Sequence, residues 1–221
     1  MERTDRLLVT GGLTGIGKGI VEAYPDRCDV WSRRTGVDLT DENSVRVATG
    51  RLLEDSGAPF GLLHCVGDFD EVSALDADTS HYRLMLDSNL TSAWLVIRYV
   101  VPAMVERGRG RVVFFSAAGA DADGAKTRAP LYFAAKAALV SLARSLSAEV
   151  ASSGVTVNVV SPGIIRHPDS HKLSQDRMVP KVPLGRAGEV GDILGAVDLL
   201  LSDSGGYLTG ANFTIDGGLS L

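Results

Sequence analysis

Apolar residues fall into two kinds of stretch along this chain. Short continuous runs read as strands: RLLVT at 6–10, DVWS at 29–32, FGLLHCV at 60–66, RVVFFS at 111–116, VTVNVV at 155–160 and NFTI at 212–215. VDL at 37–39 reads as a further, very short strand. Between them lie longer stretches with helical spacing. These run from Ile16 to Ala23 (stopped by Pro25), from Asp41 to about Leu53, from Ser80 to Val105, from Tyr132 to Ala151 and from Glu189 to Leu201. The strands are apolar on both faces rather than alternating, as a parallel sheet covered by helices on both sides requires. The pattern predicts a single α/β domain over 1–221, with a doubly wound parallel sheet of about seven strands. SRRTGVDLTD leaves too little chain for a full crossover helix between the second and third strands, so that crossover is expected to be shortened.

Composition narrows the function classes. With 221 residues, 45% hydrophobic and 22% charged, the chain can bury one substantial core. A net charge of −5 argues against nucleic-acid binding. The first ten residues hold no apolar stretch long enough for a signal peptide. The longest apolar region, AWLVIRYVVPAMV, is interrupted by Arg98 and Pro102 and does not read as a membrane span. The two cysteines, Cys28 and Cys65, lack metal-site spacing and read as reduced thiols, so a cytoplasmic protein is expected. No metal site is expected. His167 and His171 are four apart, but Pro168 lies between them and no third ligand is evident.

Two features carry chemistry. VTGGLTGIGKGI follows the first strand and opens a helix. Gly11, Gly15 and Gly17 allow a tight turn and close approach of a ligand, and the helix beginning near Ile16 presents free backbone N–H groups and the positive end of its dipole. A diphosphate is the expected occupant. The second feature is LYFAAKAAL, where Tyr132 and Lys136 share one helix face. A partly buried tyrosine beside a snorkelling lysine would explain the pair without any chemistry. Alternatively, the ammonium lowers the phenol's ordinary pKa of about 10 and makes it a proton donor and acceptor near neutrality.

The glycine spacing TGxxxGIG, the SNL of the long helix, RVVFFSAAG, YFAAK, VTVNVVSPG, VPLGRAGEVGDI and YLTGANFTIDGG together resemble the short-chain dehydrogenase/reductase family, particularly its 3-oxoacyl-carrier-protein reductases. The resemblance runs over nearly the whole chain. It implies a Rossmann-type fold and an oxidoreductase that reduces a carbonyl reversibly. It also implies four catalytic residues, Asn89, Ser116, Tyr132 and Lys136. Tyr132 would give its proton to the carbonyl oxygen as hydride arrives. Ser116 would stabilise the charge on that oxygen, Lys136 would hold the nicotinamide ribose, and Asn89 would hold a water linking Lys136 to solvent. Thr10, Gly11, Gly15, Ile16, Gly17, Ser32, Arg33, Arg34, Asp38, Gly67, Pro162, Gly163 and Ile165 would line the cofactor site, together with Tyr132 and Lys136. Imine reduction or dehydration at the same site, or a nucleotide-binding regulator without turnover, would also fit the fold. The presence of Tyr132 and Lys136 speaks against the regulator.

Several positions depart from the family pattern. HCVG (His64 to Gly67) stands where NNAG is usual, and His64 reads as a buried, hydrogen-bonded histidine rather than a catalytic one. Ser116 and Tyr132 are sixteen residues apart, with ADADGAKTRAP absorbing the extra length as a loop. Arg166 and His167 stand near where the family has a threonine after Pro-Gly. The second strand ends in Ser32 rather than an acid, followed by Arg33 and Arg34, which suits the 2′-phosphate of NADP(H) better than the bare ribose of NAD(H). Asp38 would contact the adenine amino group. A substrate-covering segment is expected at about 164–182. Arg166, Lys172, Arg177 and Lys181, with His167 and His171, outnumber Asp169 and Asp176 there; these are either ordinary charges on an exposed cover or the mark of a small carbonyl substrate that is anionic or carrier-bound. The apolar content of the 80–105 helix and of the helix from Tyr132 points to a homotetramer or homodimer.

Overall fold

The computed structural model describes residues 5–122, 124–168 and 177–221. Asp169, His171, Lys172 and Asp176 of the expected substrate segment lie outside the described residues. In chain order the elements are β1 (Leu7–Thr10), α1 (Gly15–Ala23), β2 (Cys28–Trp31), α2 (Glu42–Ser56), β3 (Gly61–His64), α3 (Thr79–Leu86), α4 (Ser92–Arg107), β4 (Gly110–Phe115), α5 (Pro130–Val150), β5 (Val155–Pro162), β6 (Ile165–Arg166), β7 (Gly188–Glu189), α6 (Val190–Leu201) and β8 (Asn212–Ile215).

β2-β1-β3-β4-β5-β8 form one six-stranded sheet in that order, and every pairing is parallel. Successive strand residues point to opposite faces, so each strand feeds two cores. Leu8, Leu62, Val112 and Phe114 pack toward α2, α4 and α5. Leu7, Val9, Leu63 and Val113 pack toward Ile20 of α1 and Ile193 and Val197 of α6. This two-sided burial is why the strand sequences show no alternation.

The sheet has six strands, not seven, because residues 37–39 do not pair. Arg33–Thr35 form a 3-10 turn closed by Gly36 in the left-handed region, and Val37 N donates back to Ser32 O. Asp38 then turns the chain again by accepting from Thr40 N and Thr40 Oγ1. Two turns so close together leave no extended run. Val37 and Leu39 still bury their side chains in the core, which accounts for their apolar character. β2 is therefore the sheet edge. Asp41 caps α2 by accepting from Ser44 N at 2.6 Å.

The long helix expected at 80–105 is α3 and α4 joined through one π turn, Asp87–Thr91. Such bulges insert one residue into the helical repeat and occur often at functional sites. A second sheet that the hydrophobic pattern does not signal pairs β6 with β7 and anchors the segment after β5.

Candidate active site

All six strands of the main sheet run the same way, so β1, β3, β4 and β5 deliver Thr10, His64, Ser116 and Pro162 to one sheet edge. The chain leaves β1 for β2 on one side, while β3 lies on the other, and this reversal opens a crevice at the carboxyl ends of the strands.

The glycine stretch forms a cradle on that edge. A Cβ on Gly17 would lie 2.4 Å from Gly11 O, so only glycine lets α1 pack directly onto the loop before it. Thr14, the N-cap of α1, makes no side-chain capping bond, and the first turn holds no acidic residue. The N-terminus of α1 thus has no side-chain cap and no carboxylate in its first turn, and it fits an anionic diphosphate. The imidazole of His167 lies over this loop, 3.5 Å from where a Gly15 Cβ would stand. β6 fixes that placement, since Ile165 and Arg166 just before His167 are paired to Gly188 and Glu189.

The other expected cofactor residues are distributed as follows. Ser32 caps the 3-10 turn with its own hydroxyl, and Arg33 and Arg34 are exposed just beyond the end of β2. The carboxylate of Asp38 is engaged by Thr40, which holds its pKa below the ordinary value. Pro162 ends β5, and Gly163 N donates to Ile215 O. Ile165 buries its side chain in the core with α1 and α6, and its backbone pairs with Gly188 of β7.

The four expected catalytic residues lie around the crevice. Asn89 sits in the π turn, fully buried, with Nδ2 at 2.9 Å from Asp68 O and 3.0 Å from Met85 O. Its Oδ1 is buried without a hydrogen-bond partner among the described residues. Across from it, Lys136 Nζ donates to Phe115 O at 2.8 Å. Gly67 lies between them, because a Cβ there would be 2.3 Å from Asn89 Oδ1 and 2.8 Å from Lys136 Nζ. Ser116 Oγ donates to Lys136 O at 3.0 Å, which ties the end of β4 to α5. Tyr132 lies in the first turns of α5, one turn before Lys136, whose Nζ stands 5.8 Å from the centre of its ring.

Burial, rather than the ammonium, sets the charge state of the pair. It pushes the Tyr132 phenol up to about 12 and the Lys136 amine down to about 8. The expected lowering of the phenol by its neighbour is not found. Nζ is turned to the Phe115 carbonyl, and desolvation opposes charge on either group. Tyr132 therefore holds its proton at neutral pH.

His64 is fully buried, and its ring has partners on both sides. Ser92 Oγ donates to Ser88 O at 2.7 Å, so it accepts from His64 Nε2–H at 3.2 Å. Nδ1 then accepts from Thr10 Oγ1–H at 2.8 Å. Burial lowers the His64 pKa to about 3, with Lys136 adding to the shift. It is a neutral link between the glycine loop and the π turn. The Thr10 hydroxyl is thereby committed to His64.

Sequence reasoning did not anticipate the π turn, the Thr10–His64–Ser92 chain, or Phe69, whose ring meets Tyr132. The histidine in HCVG was the one available signal for the polar chain. Nothing in SNL distinguishes a π turn from ordinary helix, and Phe69 looks like any loop residue. No metal-binding group of His, Cys, Asp or Glu occurs among the described residues, and none of their helices is long and apolar enough to cross a membrane.

Known proteins share both the sequence and the fold. Residues 14–220 match the family model described as enoyl-(acyl carrier protein) reductase. Oxidoreductase UcpA of Escherichia coli K12 is 30% identical over 249 residues, spanning 97% of this chain and 94% of the relative. The 3-oxoacyl-[acyl-carrier-protein] reductase FabG of the same organism is 29% identical, spanning 96% of each chain. A short chain dehydrogenase from Leptospira borgpetersenii with bound NAD+ superposes with a TM-score of 0.87 at 24% identity, over 98% of this chain and 93% of that one. With the glycine cradle, the Tyr132–Lys136 pair, the six-stranded parallel sheet and the match over residues 14–220, the chain belongs to the short-chain dehydrogenase/reductase family, whose members are oxidoreductases that bind nicotinamide cofactors.

Proposed function

We propose that this protein is an NADP(H)-dependent reductase that converts a carbonyl to an alcohol, reversibly, with Tyr132 as proton donor. The observation that carries the reading is the protonated Tyr132 phenol grouped with Lys136, Ser116 and Asn89 at the carboxyl edge of the sheet. When bound, the reduced nicotinamide supplies hydride to the carbonyl carbon. Tyr132 Oη gives its proton to the carbonyl oxygen. Ser116 Oγ turns from Lys136 O to donate to the same oxygen and stabilises its developing charge. Lys136 would hold the ribose, and Oδ1 of Asn89, which has no partner among the described residues, would accept from a water that returns a proton through Lys136. Gly11, Gly15, Ile16 and Gly17 would hold the diphosphate.

The choice of NADP(H) rests on the end of β2. Ser32 offers no carboxylate to a ribose 2′-OH, while Arg33 and Arg34 extend from the capped turn beside it. Guanidinium groups recognise a phosphate by charge-assisted hydrogen bonds. Arg33→Ala is expected to weaken NADPH by about ten- to a hundredfold, the worth of one such contact, and to leave NADH nearly unchanged. Titration of both cofactors into both proteins checks this, and equal losses would return the preference to NAD(H).

The substrate is a small carbonyl compound, free or on a carrier arm. Of the basic residues expected to favour an anion, Arg177 is ion-paired with Glu71 of the loop after β3, so part of that charge is already neutralised. We further place the protein in the cytoplasm, as a dimer or tetramer joined along the α3–α4 rod. Both cysteines are free, which suits a reducing compartment. Tyr82, Leu84 and Trp94 are exposed on the rod, whereas α5 exposes no large apolar side chain. Light scattering should show a mass well above 23.3 kDa at micromolar concentration, and Trp94→Glu should shift it toward the monomer. A monomeric wild-type protein would refute the pairing.

A further inference from the structure

An exposed aromatic residue stands beside the proton donor. Phe69 is 47% exposed, and its ring meets the Tyr132 ring edge-on, with centroids 5.0 Å apart and planes at 87°. A single exposed apolar side chain is ordinary on a protein surface. This one differs because its backbone is fixed from the π turn. Asn89 Nδ2 donates to Asp68 O at 2.9 Å, and Asp68 N donates to Ser88 Oγ at 3.3 Å. Gly67, with no room for a side chain, sets the path of the chain just before it. Catalytic asparagine and exposed ring are thus held by one set of contacts.

The position of the ring has a chemical consequence. A carbonyl within hydrogen-bonding reach of Tyr132 Oη puts one of its substituents against Phe69. Tyr132 also stacks edge-on with Phe133, at 5.3 Å, so that side of the site is an aromatic wall. Charge around it is mixed: Lys136 Nζ stands 5.8 Å from the Tyr132 ring centre and Lys126 Nζ 5.6 Å from that of Phe133, while Asp68 and Asp70 flank Phe69 in sequence and Glu71 is paired with Arg177. A flat apolar substituent would meet rings with a favourable edge-to-face geometry.

We propose that Phe69 is a specificity-determining residue whose ring selects a carbonyl substrate bearing a flat apolar substituent, an aryl ketone or aldehyde being the simplest case. This rests on the carbonyl-reductase reading above and narrows its substrate class.

The test compares acetophenone, 2-butanone and acetoacetate as substrates of the wild type, Phe69→Ala and Phe69→Tyr, with NADPH. Wild type should prefer acetophenone to both others. Phe69→Ala should lose about tenfold in kcat/KM for acetophenone, mostly through KM, and change by less than about twofold for 2-butanone, as expected for one ring–ring contact with its buried area. Phe69→Tyr should retain the preference. Equal losses on acetophenone and 2-butanone, or none, would overturn the proposal. If the wild type reduces no carbonyl, the reductase reading fails, and Phe69 is judged by binding alone. Saturation-transfer NMR should then show 1-phenylethanol contacting the wild type and not Phe69→Ala. Equal signals from both proteins would overturn the assignment of Phe69.

Discussion

Replacing Tyr132 by Phe should lower the rate of carbonyl reduction at least about a hundredfold while leaving cofactor affinity close to that of the wild type, because the change removes only a positioned proton donor. The ring survives the change, so its edge-on contacts with Phe69 and Phe133 remain and the first turns of α5 should pack as before. Only the hydroxyl is lost. His64 is no substitute, since its one N–H is given to Ser92 and burial keeps the ring neutral with a pKa of about 3. The pH profile sharpens the expectation. Tyr132, at about 12, keeps its proton across the usable range, whereas Lys136, at about 8, loses its charge above that value. Wild-type reduction should therefore hold steady below about pH 8 and fall as pH rises through it. Loss of reduced-nicotinamide absorbance in single-turnover mixtures, with cofactor affinity measured separately, checks both statements. Near-normal turnover by Tyr132→Phe would assign the proton to another group.

The second large effect is expected at a residue with no functional group. Gly67→Ala introduces a Cβ 2.3 Å from Asn89 Oδ1 and 2.8 Å from Lys136 Nζ, both below contact distance. Neither neighbour yields without cost. Asn89 is held by Asp68 O and Met85 O inside the π turn, and Lys136 is held by Phe115 O. A shift of about 1 Å in such groups costs roughly a hundredfold in rate. The expected result is a fall in kcat of that order in a protein that still folds, followed by turnover and by circular dichroism. Gly50→Ala in α2 is the control, because nothing lies within 4 Å of the added carbon, and its kcat should match the wild type. Wild-type turnover in Gly67→Ala would mean that the Asn89–Lys136 arrangement is not needed.

The order of strands and helices could be read from the chain because each run carries its own periodicity. Leu7 to Thr10 and Gly110 to Phe115 carry apolar residues on both faces, which only a sheet covered on both sides rewards. The glycine cradle and the Tyr132–Lys136 pair were legible for a related reason. Their chemistry depends on spacing within one turn or loop, and spacing is written in the sequence. What depended on long-range contact was not legible. VDL looked like a strand, but two successive turns around Gly36 and Asp38 removed the extended chain that pairing needs. The charge state of Tyr132 depended on burial by elements far apart in the chain, and desolvation outweighed the neighbouring ammonium. His64 acquired its role only when folding brought Thr10 and Ser92 to opposite sides of its ring. The position of Phe69 against Tyr132 came from a backbone clamp sprung from a π turn that no local pattern announces. The sequence by itself determined the elements and the reactive groups they carry. The tertiary structure decided which groups are dry, which are already bonded, and which remain open to a substrate, because desolvation and hydrogen-bond partnership are set by neighbours distant in the chain.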